Sequence, residues 1–221
     1  MVVADKASLK VAVIPVTPFR QNCSIVWCER SKRAVVVDPG GDVPQILAAL
    51  KQADVTAEAI WLTHGHIDHA GGAAELKLAL GGIAVIGPDR RDLFLLEALE
   101  ASGRKYQMAG VRNIVPDRWL SEGETVTLGD LSFALFHCPG HTPGSLVFYE
   151  ATNRFALVGD VLFAGSVGRT DMPYGDPEAL VRSIREKLFP LGDDITFLPG
   201  HGPPGSFGEE RLSNPFAGER A

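Results

Sequence analysis

The sequence has few cysteines, no long hydrophobic run and no excess of positive charge. Its 221 residues include three cysteines, an odd number without a CxxC pair. A disulfide framework is therefore not expected, and a reducing compartment fits this composition. No apolar stretch approaches the length of a membrane-spanning helix, and an N-terminal segment with Asp5 and Lys6 does not resemble a signal peptide. We therefore expect a soluble cytoplasmic protein.

The charge balance and the missing motifs exclude several function classes. Lysine and arginine number 21 against 27 acidic residues, for a net charge of −6. A broad nucleic-acid-binding surface normally needs a basic stripe, which this balance disfavours. The sequence also has no GxSxG or P-loop pattern. We expect a small-molecule substrate, with neither nucleic acid nor a membrane as partner.

The order of the predicted elements indicates an α+β protein. Apolar residues make up 45% and charged residues 22% of the chain, which is typical of globular domains. Short β-rich runs predict strands at residues 11–16, 24–28, 34–38, 59–63, 83–86, 133–137, 145–150, 155–158 and 195–198. Helices are predicted at 43–53, 72–80, about 90–101 and 177–188, with an irregular segment at 103–124. The Asp42 carboxylate is predicted to cap the first helix, and Asp176-Pro177 to begin the last.

This order predicts two sheets packed face to face, with helices on both outer faces. The segments that begin at Ser24 and Ser145 resemble each other, which is consistent equally with two similar halves and with a chance likeness of two hairpins. No linker divides the chain, so we predict one domain over residues 1–221. Its glycine- and proline-rich end, residues 200–221, is predicted to form a surface strap.

The strongest chemical signal is the segment Thr63-His64-Gly65-His66-Ile67-Asp68-His69. Alternate residues of an extended chain share a face, so His64 and His66 can point the same way. Asp68 and His69 follow as the chain turns toward a helix. Imidazole and carboxylate groups at this spacing suit zinc, iron or manganese.

Three further candidate ligands also follow predicted strands. His141 lies in a loop between two strands, Asp160 ends a strand, and His201 follows the last one. Strand ends on one edge of a sandwich can converge on a single cleft, so these residues complete a set that can hold two metal ions. The alternative is that all are structural polar groups, which their clustering disfavours. His137 and Cys138 are interpreted as structural residues.

These segments resemble the metallo-β-lactamase superfamily, and more narrowly its short bacterial glyoxalase II-like hydrolases. The resemblance rests on THGHIDHAGG, CPGHTPGS, GDVLF, PGHGP, VDPGGD, GSVGRTDMPYGD and ERLSNPF, which span nearly the whole chain. It implies the αβ/βα four-layer sandwich. It also implies that His64, His66 and His141 hold one metal ion, that Asp68, His69 and His201 hold the second, and that Asp160 bridges both.

The resemblance implies hydrolysis of a thioester, most simply S-(2-hydroxyacyl)glutathione. Two divalent ions, zinc or alternatively iron or manganese, would lower the pKa of a bridging water toward about 7, and the resulting hydroxide would attack the carbonyl. Asp68 is expected to orient that hydroxide. The thiol leaving group has a pKa near about 8.5, so it needs no dedicated general acid.

The sequence departs from that family where substrate is held. The chain ends twenty residues after His201, and its last segment offers only Arg211 and Arg220 as cations. Arg169 stands at the position where the family has a substrate-contacting lysine. Its guanidinium can bind a substrate carboxylate through two hydrogen bonds, or it can form a salt bridge with Asp171 or Asp176. Two other functions stay open: a mononuclear-iron persulfide dioxygenase of the same superfamily, and a metal-binding or ligand-sensing module without turnover.

Overall fold

The computed structural model describes residues 7–221. Asp5 and Lys6, on which the expectation for the N-terminal segment depends, lie outside this range. The first sheet has the order β1-β2-β3-β4-β5. Its strands are β1 (Leu9–Val16), β2 (Gln21–Cys28), β3 (Arg33–Val37), β4 (Thr56–Trp61) and β5 (Ala84–Ile86). Strands β1 to β3 are antiparallel neighbours, whereas β3, β4 and β5 run parallel.

The second sheet has the order β13-β12-β9-β8-β7-β6. Its strands are β6 (Thr125–Leu128), β7 (Leu131–His137), β8 (Leu146–Glu150), β9 (Phe155–Gly159), β12 (Thr196–Pro199) and β13 (Gly205–Ser206), and a separate short hairpin joins β10 (Leu162–Phe163) to β11 (Ser166–Val167). The helices are α1 (Val43–Ala53), α2 (Ile67–Ala70), α3 (Ala73–Ala79), α4 (Leu93–Leu96), α5 (Leu99–Tyr106), α6 (Pro177–Ser183) and α7 (Phe207–Ser213).

Three apolar clusters separate four layers, as predicted. Alternate residues of a strand face opposite sides of its sheet. On β2, Ile25 packs into the cluster that includes α1 and α3, whereas Val26 packs into the cluster between the two sheets. In that middle cluster Trp61 stacks on Phe148, with ring centroids 5.1 Å apart. A third cluster joins the second sheet to α6 and α7. The predicted α+β sandwich with helices outside is confirmed.

The two halves of the chain share one topology, which confirms the internal similarity. In the first half, β2 and β3 form an antiparallel pair and β4 lies parallel to β3. In the second half, β8 and β9 form an antiparallel pair and β12 lies parallel to β9. Asp38 and Asp160 directly follow the second strand of each set, and His201 follows β12. Corresponding strand ends therefore carry the polar residues in both halves.

Several predicted helix boundaries were wrong. The Asp42 carboxylate makes no capping bond; it accepts a hydrogen bond from the Thr17 backbone N–H at 2.7 Å. The helix predicted at 90–101 is a 3₁₀ turn (Arg90–Asp92) followed by α4 and α5, and it continues past Gly103 to Tyr106. Gly103 lies inside α5, where a Cβ would lie 3.0 Å from Val111 Cβ.

Other segments differ by shorter stretches. Asp68 and His69 lie inside the single-turn helix α2, rather than on a turn before a helix. Strand β6 was not predicted, although its residues alternate between exposed and buried as those of a half-buried strand do. The last predicted helix is α-helical only to Ser183 and continues as a π-helical turn. Asp176 does cap it, accepting from the Ala179 N–H at 2.9 Å.

Residues 200–221 contain β13 and α7 and pack on the second sheet. The cysteines are all buried free thiols, as the odd count predicted. Burial raises the pKa of Cys138 to about 12, which fits a packing residue. Within residues 7–221, no helix is both long and apolar enough to cross a membrane.

Candidate metal centre

The predicted metal ligands converge on one edge of the sandwich. His64 and His66 follow β4, His141 lies in the loop between β7 and β8, and Asp160 and His201 follow β9 and β12. Because these strands end at the same edge, residues far apart in sequence come within a few ångströms of one another. The structure thus brings together all seven residues that the sequence singled out as metal ligands.

The first group consists of His64, His66 and His141. The Nδ1 atom of His66 lies 3.1 Å from His64 Nε2 and 2.9 Å from His141 Nε2. Three ring nitrogens therefore face one point. Such a cluster of neutral imidazoles can hold a divalent transition metal.

The outward nitrogens of these rings have hydrogen-bond acceptors. His64 Nδ1 lies 3.1 Å from Thr63 Oγ1, whose proton goes to Asp38, and His141 Nδ1 lies 2.9 Å from the Arg169 carbonyl oxygen. A protonated outward nitrogen leaves the inward nitrogen with a free lone pair, the tautomer that a metal ligand needs. His66 Nε2 is satisfied in the same way by the Tyr174 hydroxyl, at 2.8 Å.

The second group consists of Asp68, His69 and His201. His201 Nε2 lies 3.1 Å from Asp68 Oδ2, and His69 Nε2 lies 3.8 Å from the same oxygen. Asp160 lies between the two groups: its Oδ1 is 3.3 Å from His69 Nε2 and its Oδ2 is 3.5 Å from His141 Nε2. One carboxylate therefore reaches both groups.

Asp38 orients the second group rather than joining it. Its Oδ2 accepts hydrogen bonds from His69 Nδ1 at 2.8 Å and from the Thr63 hydroxyl at 2.6 Å, and its Oδ1 accepts from the Thr63 N–H at 2.8 Å. This arrangement turns His69 Nε2 toward Asp160. The backbone of Asp38 has a φ of 53°, in the left-handed region that aspartate tolerates better than most residues.

The two groups differ in their electrostatics. Burial, and then repulsion from His141, lowers the pKa of His66 to about 3. Burial also lowers the pKa of His64 and His141. Burial disfavours charge on His69 as well, but Asp160, Asp68 and Asp38 outweigh it and raise the pKa.

The pKa values of the two carboxylates, Asp160 and Asp68, are lowered by the neighbouring histidines. Burial alone would raise the pKa of Asp160, but His69 and then His141 and His201 lower it well below the usual range. The pKa of Asp68 is lowered in the same way by His69 and His201, against burial. The three imidazoles of the first group are thus neutral, as metal ligands must be. In the second group the carboxylates are ionised and favour protons on His69 and His201, and a bound metal ion would displace those protons.

Two buried polar atoms at the centre of the site fit a metal ion. Among residues 7–221, His69 Nε2 and Asp160 Oδ1 are completely buried and make no hydrogen bond, although they lie 3.3 Å from each other. Such orphaned atoms are costly unless a ligand satisfies them. Gly200 explains how they lie so close to the chain, because a Cβ there would lie 2.1 Å from Asp160 Oδ1 and 2.5 Å from His69 Cε1. The residues present therefore fit a pair of divalent ions.

A cavity of about 630 Å³ opens directly onto this centre. Asp68, Asp160, His141 and His201 lie at its base. Its walls are largely apolar and aromatic, built from Phe19, Ile67, Leu95, Leu99, Tyr106, Phe163, Val167, Met172, Pro173 and Tyr174. The cavity is large enough for a small organic substrate and leads to the carboxylates and imidazoles.

Arg169 lines the cavity, but its guanidinium forms two hydrogen bonds to Asp171, at 2.7 and 2.8 Å. The salt bridge considered for this residue is therefore observed, with Asp171 as its partner, whereas its contact with a substrate carboxylate stays a prediction. Arg211, one of the C-terminal cations, pairs with Asp193 and Glu219 and does not line the cavity. His137 is structural, with Nε2 2.7 Å from the Pro143 carbonyl oxygen.

Sequence analysis missed Asp92, Lys105 and Tyr174. Asp92 is fully buried beside both metal loops, and the other two line the cavity. None belongs to a cluster of ligand residues in the sequence. Tyr174 alone carried a signal, because it lies in the GSVGRTDMPYGD segment that was already singled out.

The fold and this site define a class of protein. The sequence profile that describes the metallo-beta-lactamase superfamily matches residues 16–201. The chain belongs to this superfamily.

Two bacterial proteins of this superfamily are similar to the chain over nearly its whole length. Over 214 residues the chain is 41% identical to the protein called hydroxyacylglutathione hydrolase GloC of Haemophilus influenzae, covering 96% of this chain and 100% of that one. It is 32% identical to the probable metallo-hydrolase YqgX of Bacillus subtilis, covering 92% and 95%.

Two solved structures are similar at 35% identity and a TM-score of 0.83. One is the BLEG-1 B3 metallo-beta-lactamase, with coverage of 94% of this chain and 99% of that chain. The other is TTHA1623 in a di-iron-bound form, with coverage of 93% and 99%.

Proposed function

We propose that this chain hydrolyses thioester bonds with two divalent metal ions, and that its substrate is an S-(2-hydroxyacyl)glutathione or a related small thioester. The observation that carries the proposal is Asp160, whose two oxygens face two separate ligand groups at 3.3 and 3.5 Å. A carboxylate in that position suits a pair of ions. The 41% identity to a protein called hydroxyacylglutathione hydrolase supports the thioester part of the proposal.

We assign His64, His66 and His141 to one ion, and Asp68, His69 and His201 to the other, with Asp160 between them. Two ions held there supply an activated water molecule and polarise the substrate carbonyl. Imidazole and carboxylate ligands accept zinc, iron or manganese. We propose zinc, with iron as the alternative because a similar structure is di-iron-bound.

The chain's own residues would bind and orient the reactants. The ionised Asp68 carboxylate lines the cavity and can accept a proton from the attacking water, so we assign it a catalytic role. The apolar walls exclude water from the reacting carbonyl. A thiol leaving group with a pKa near about 8.5 departs without a dedicated acid at neutral pH.

A glutathione-like substrate carries carboxylates, which call for cations in the cavity. Among the described residues that line the cavity, the arginine and lysine side chains are Arg169 and Lys105. Arg169 shares its charge with Asp171, whereas Lys105 is in none of the ion pairs of residues 7–221. Its ammonium lies 5.1 Å from the ring centroid of Tyr106. We propose that Lys105, with Arg169, contacts the carboxylates of the substrate's thiol part.

Steady-state hydrolysis of S-D-lactoylglutathione by metal-loaded protein tests this function. We expect saturable turnover that Asp160→Ala abolishes and that the control Asp130→Ala, at an exposed ion pair with Arg30, preserves. Absence of turnover with two bound metal ions would overturn the substrate assignment. Parallel assays with a β-lactam and with glutathione persulfide plus oxygen would then identify a lactamase or a dioxygenase.

A further inference from the structure

The Tyr174 hydroxyl connects the cavity wall to one ring of the metal centre. Its oxygen lies 2.8 Å from His66 Nε2 and 3.1 Å from the Met172 sulfur. The tyrosine ring packs edge-on against Phe94, with centroids 5.2 Å apart. A hydroxyl can accept one hydrogen bond and donate another. Because the Met172 sulfur can only accept, a hydroxyl that donates to it is left to accept from a protonated His66 Nε2.

We propose that Tyr174 is a positioning residue that holds His66 in its Nε2–H tautomer and so presents Nδ1 to the first ligand group. The inference rests on the metal-binding part of the proposed function. His66 Nδ1 is the central atom of that group, 3.1 and 2.9 Å from the two neighbouring Nε2 atoms. A proton on Nδ1 would point into the space that the three nitrogens share and would block it.

Tyr174 differs from the groups that hold the other rings. Thr63, backed by Asp38, holds His64, and a backbone carbonyl holds His141; Asp38 itself is buried, and Thr63 is 2% exposed. Tyr174 is a half-buried side chain in the wall of the substrate cavity. It is therefore a ring-holding side chain that a bound substrate can touch directly. Substrate contacts at this hydroxyl would act on a metal ligand as well as on the cavity.

Tyr174→Phe removes the hydroxyl and keeps the ring, so the packing on Phe94 survives. Groups that orient metal-bound histidines typically contribute about 10- to 100-fold to metal affinity. We expect Tyr174→Phe to weaken zinc binding by about 10-fold or more at one of two sites. The matched control is Met172→Leu, which removes the sulfur but leaves the hydroxyl on His66.

The experiment combines competition for zinc against a chromophoric chelator with nitrogen-15 NMR of the histidine rings in metal-free protein. Wild type and Met172→Leu should show His66 mainly protonated at Nε2, and Tyr174→Phe should gain the Nδ1–H tautomer. An unchanged zinc affinity and tautomer in Tyr174→Phe would overturn the inference. A wild-type His66 protonated mainly at Nδ1 would also overturn it, and that measurement needs no variant to fold.

The outcomes separate this inference from the proposed function. If the wild type binds two zinc ions but hydrolyses no thioester, the proposed function is contradicted. The role of Tyr174 is then decided by the tautomer and zinc-affinity measurements alone. Wild type that binds no zinc contradicts both. Thermal unfolding of each variant identifies any loss that comes from misfolding.

Discussion

Asp92 joins the two loops that carry the first ligand group. We expect the Asp92→Ala variant to have a markedly lower Tm than the wild type. Its Oδ2 accepts from the Gly65 N–H at 2.9 Å and from the Thr142 hydroxyl at 2.7 Å, and its Oδ1 accepts from the Gly144 N–H at 2.6 Å. The residue is completely buried. One carboxylate therefore ties the loop of His64 and His66 to the loop of His141.

The size of the effect follows from these donors. Asp92→Ala leaves the Gly65 and Gly144 N–H groups without an acceptor, whereas the Thr142 hydroxyl keeps the Ser145 hydroxyl as a partner at 2.8 Å. Each unsatisfied buried group costs roughly 1–3 kcal/mol. Allowing for some relaxation, we expect a loss of roughly 4 kcal/mol in the free energy of unfolding. At roughly 2–4 °C per kcal/mol for a chain of this size, the Tm should fall by about 8–16 °C.

Calorimetric unfolding with a chelator present measures this loss without a contribution from metal release. Asp130→Ala, which breaks the exposed pair with Arg30, is the control and should change stability by about 1 kcal/mol or less. If Asp92→Ala lowers the Tm no further than this control, the carboxylate does not join the loops. A loss of metal affinity without a loss of stability would likewise contradict the reasoning.

The ionisation of Asp92 adds a pH signature to the same prediction. Burial raises its pKa to about 6, against hydrogen bonds from Thr142, Gly65 and Gly144 that lower it. Because this folded-state pKa lies above the unfolded value of about 3.9, Asp92 contributes to the free energy of unfolding. That contribution is complete below about pH 4 and is lost as the pH rises through about 6. The difference between a pKa of about 6 in the folded protein and about 3.9 in the unfolded chain corresponds to at most about 3 kcal/mol. The stability of wild type relative to Asp92→Asn should therefore fall by up to this amount between pH 4 and pH 7; a difference that does not vary with pH would refute the shift.

Three further predictions concern the centre and its cavity. Lys105→Gln should raise the KM for a glutathione thioester by about 10-fold with little change in kcat, consistent with the loss of a charged hydrogen bond. The control Lys51→Gln, at the end of α1, should change neither constant. An equal KM in both variants would exclude Lys105 from substrate binding. Gly200→Ala should lower zinc content and activity by at least about 10-fold, because the new Cβ would lie 2.1 Å from Asp160 Oδ1. At Gly202 an added Cβ meets open space, so the control Gly202→Ala should only add backbone strain. Full zinc occupancy in Gly200→Ala would contradict the predicted clash. Asp68→Asn should lower kcat by about 100-fold and KM little, as expected for general-base loss; a change confined to KM in steady-state kinetics would contradict the catalytic role.

Local patterns in the sequence were sufficient for the fold and for the identities of the candidate ligands. Strand and helix propensities act over a few residues, so α1 was predicted with its exact limits, Val43–Ala53. The run from His64 to His69 is a contiguous signal for the same reason. His141, Asp160 and His201 could be added because each follows a predicted strand, and strand ends of a layered sandwich meet at one edge.

Contacts between distant residues could not be read from those patterns. The Asp42 carboxylate bonds the Thr17 N–H, 25 residues away, rather than its own helix. Tyr174 contacts His66 across 108 residues of sequence. Asp92 lies in no recognisable motif, yet it bonds loops on either side of it in the chain. A hydrogen bond requires two atoms within about 3 Å in a defined direction, and only the packing of the two sheets and their loops brings those atoms together.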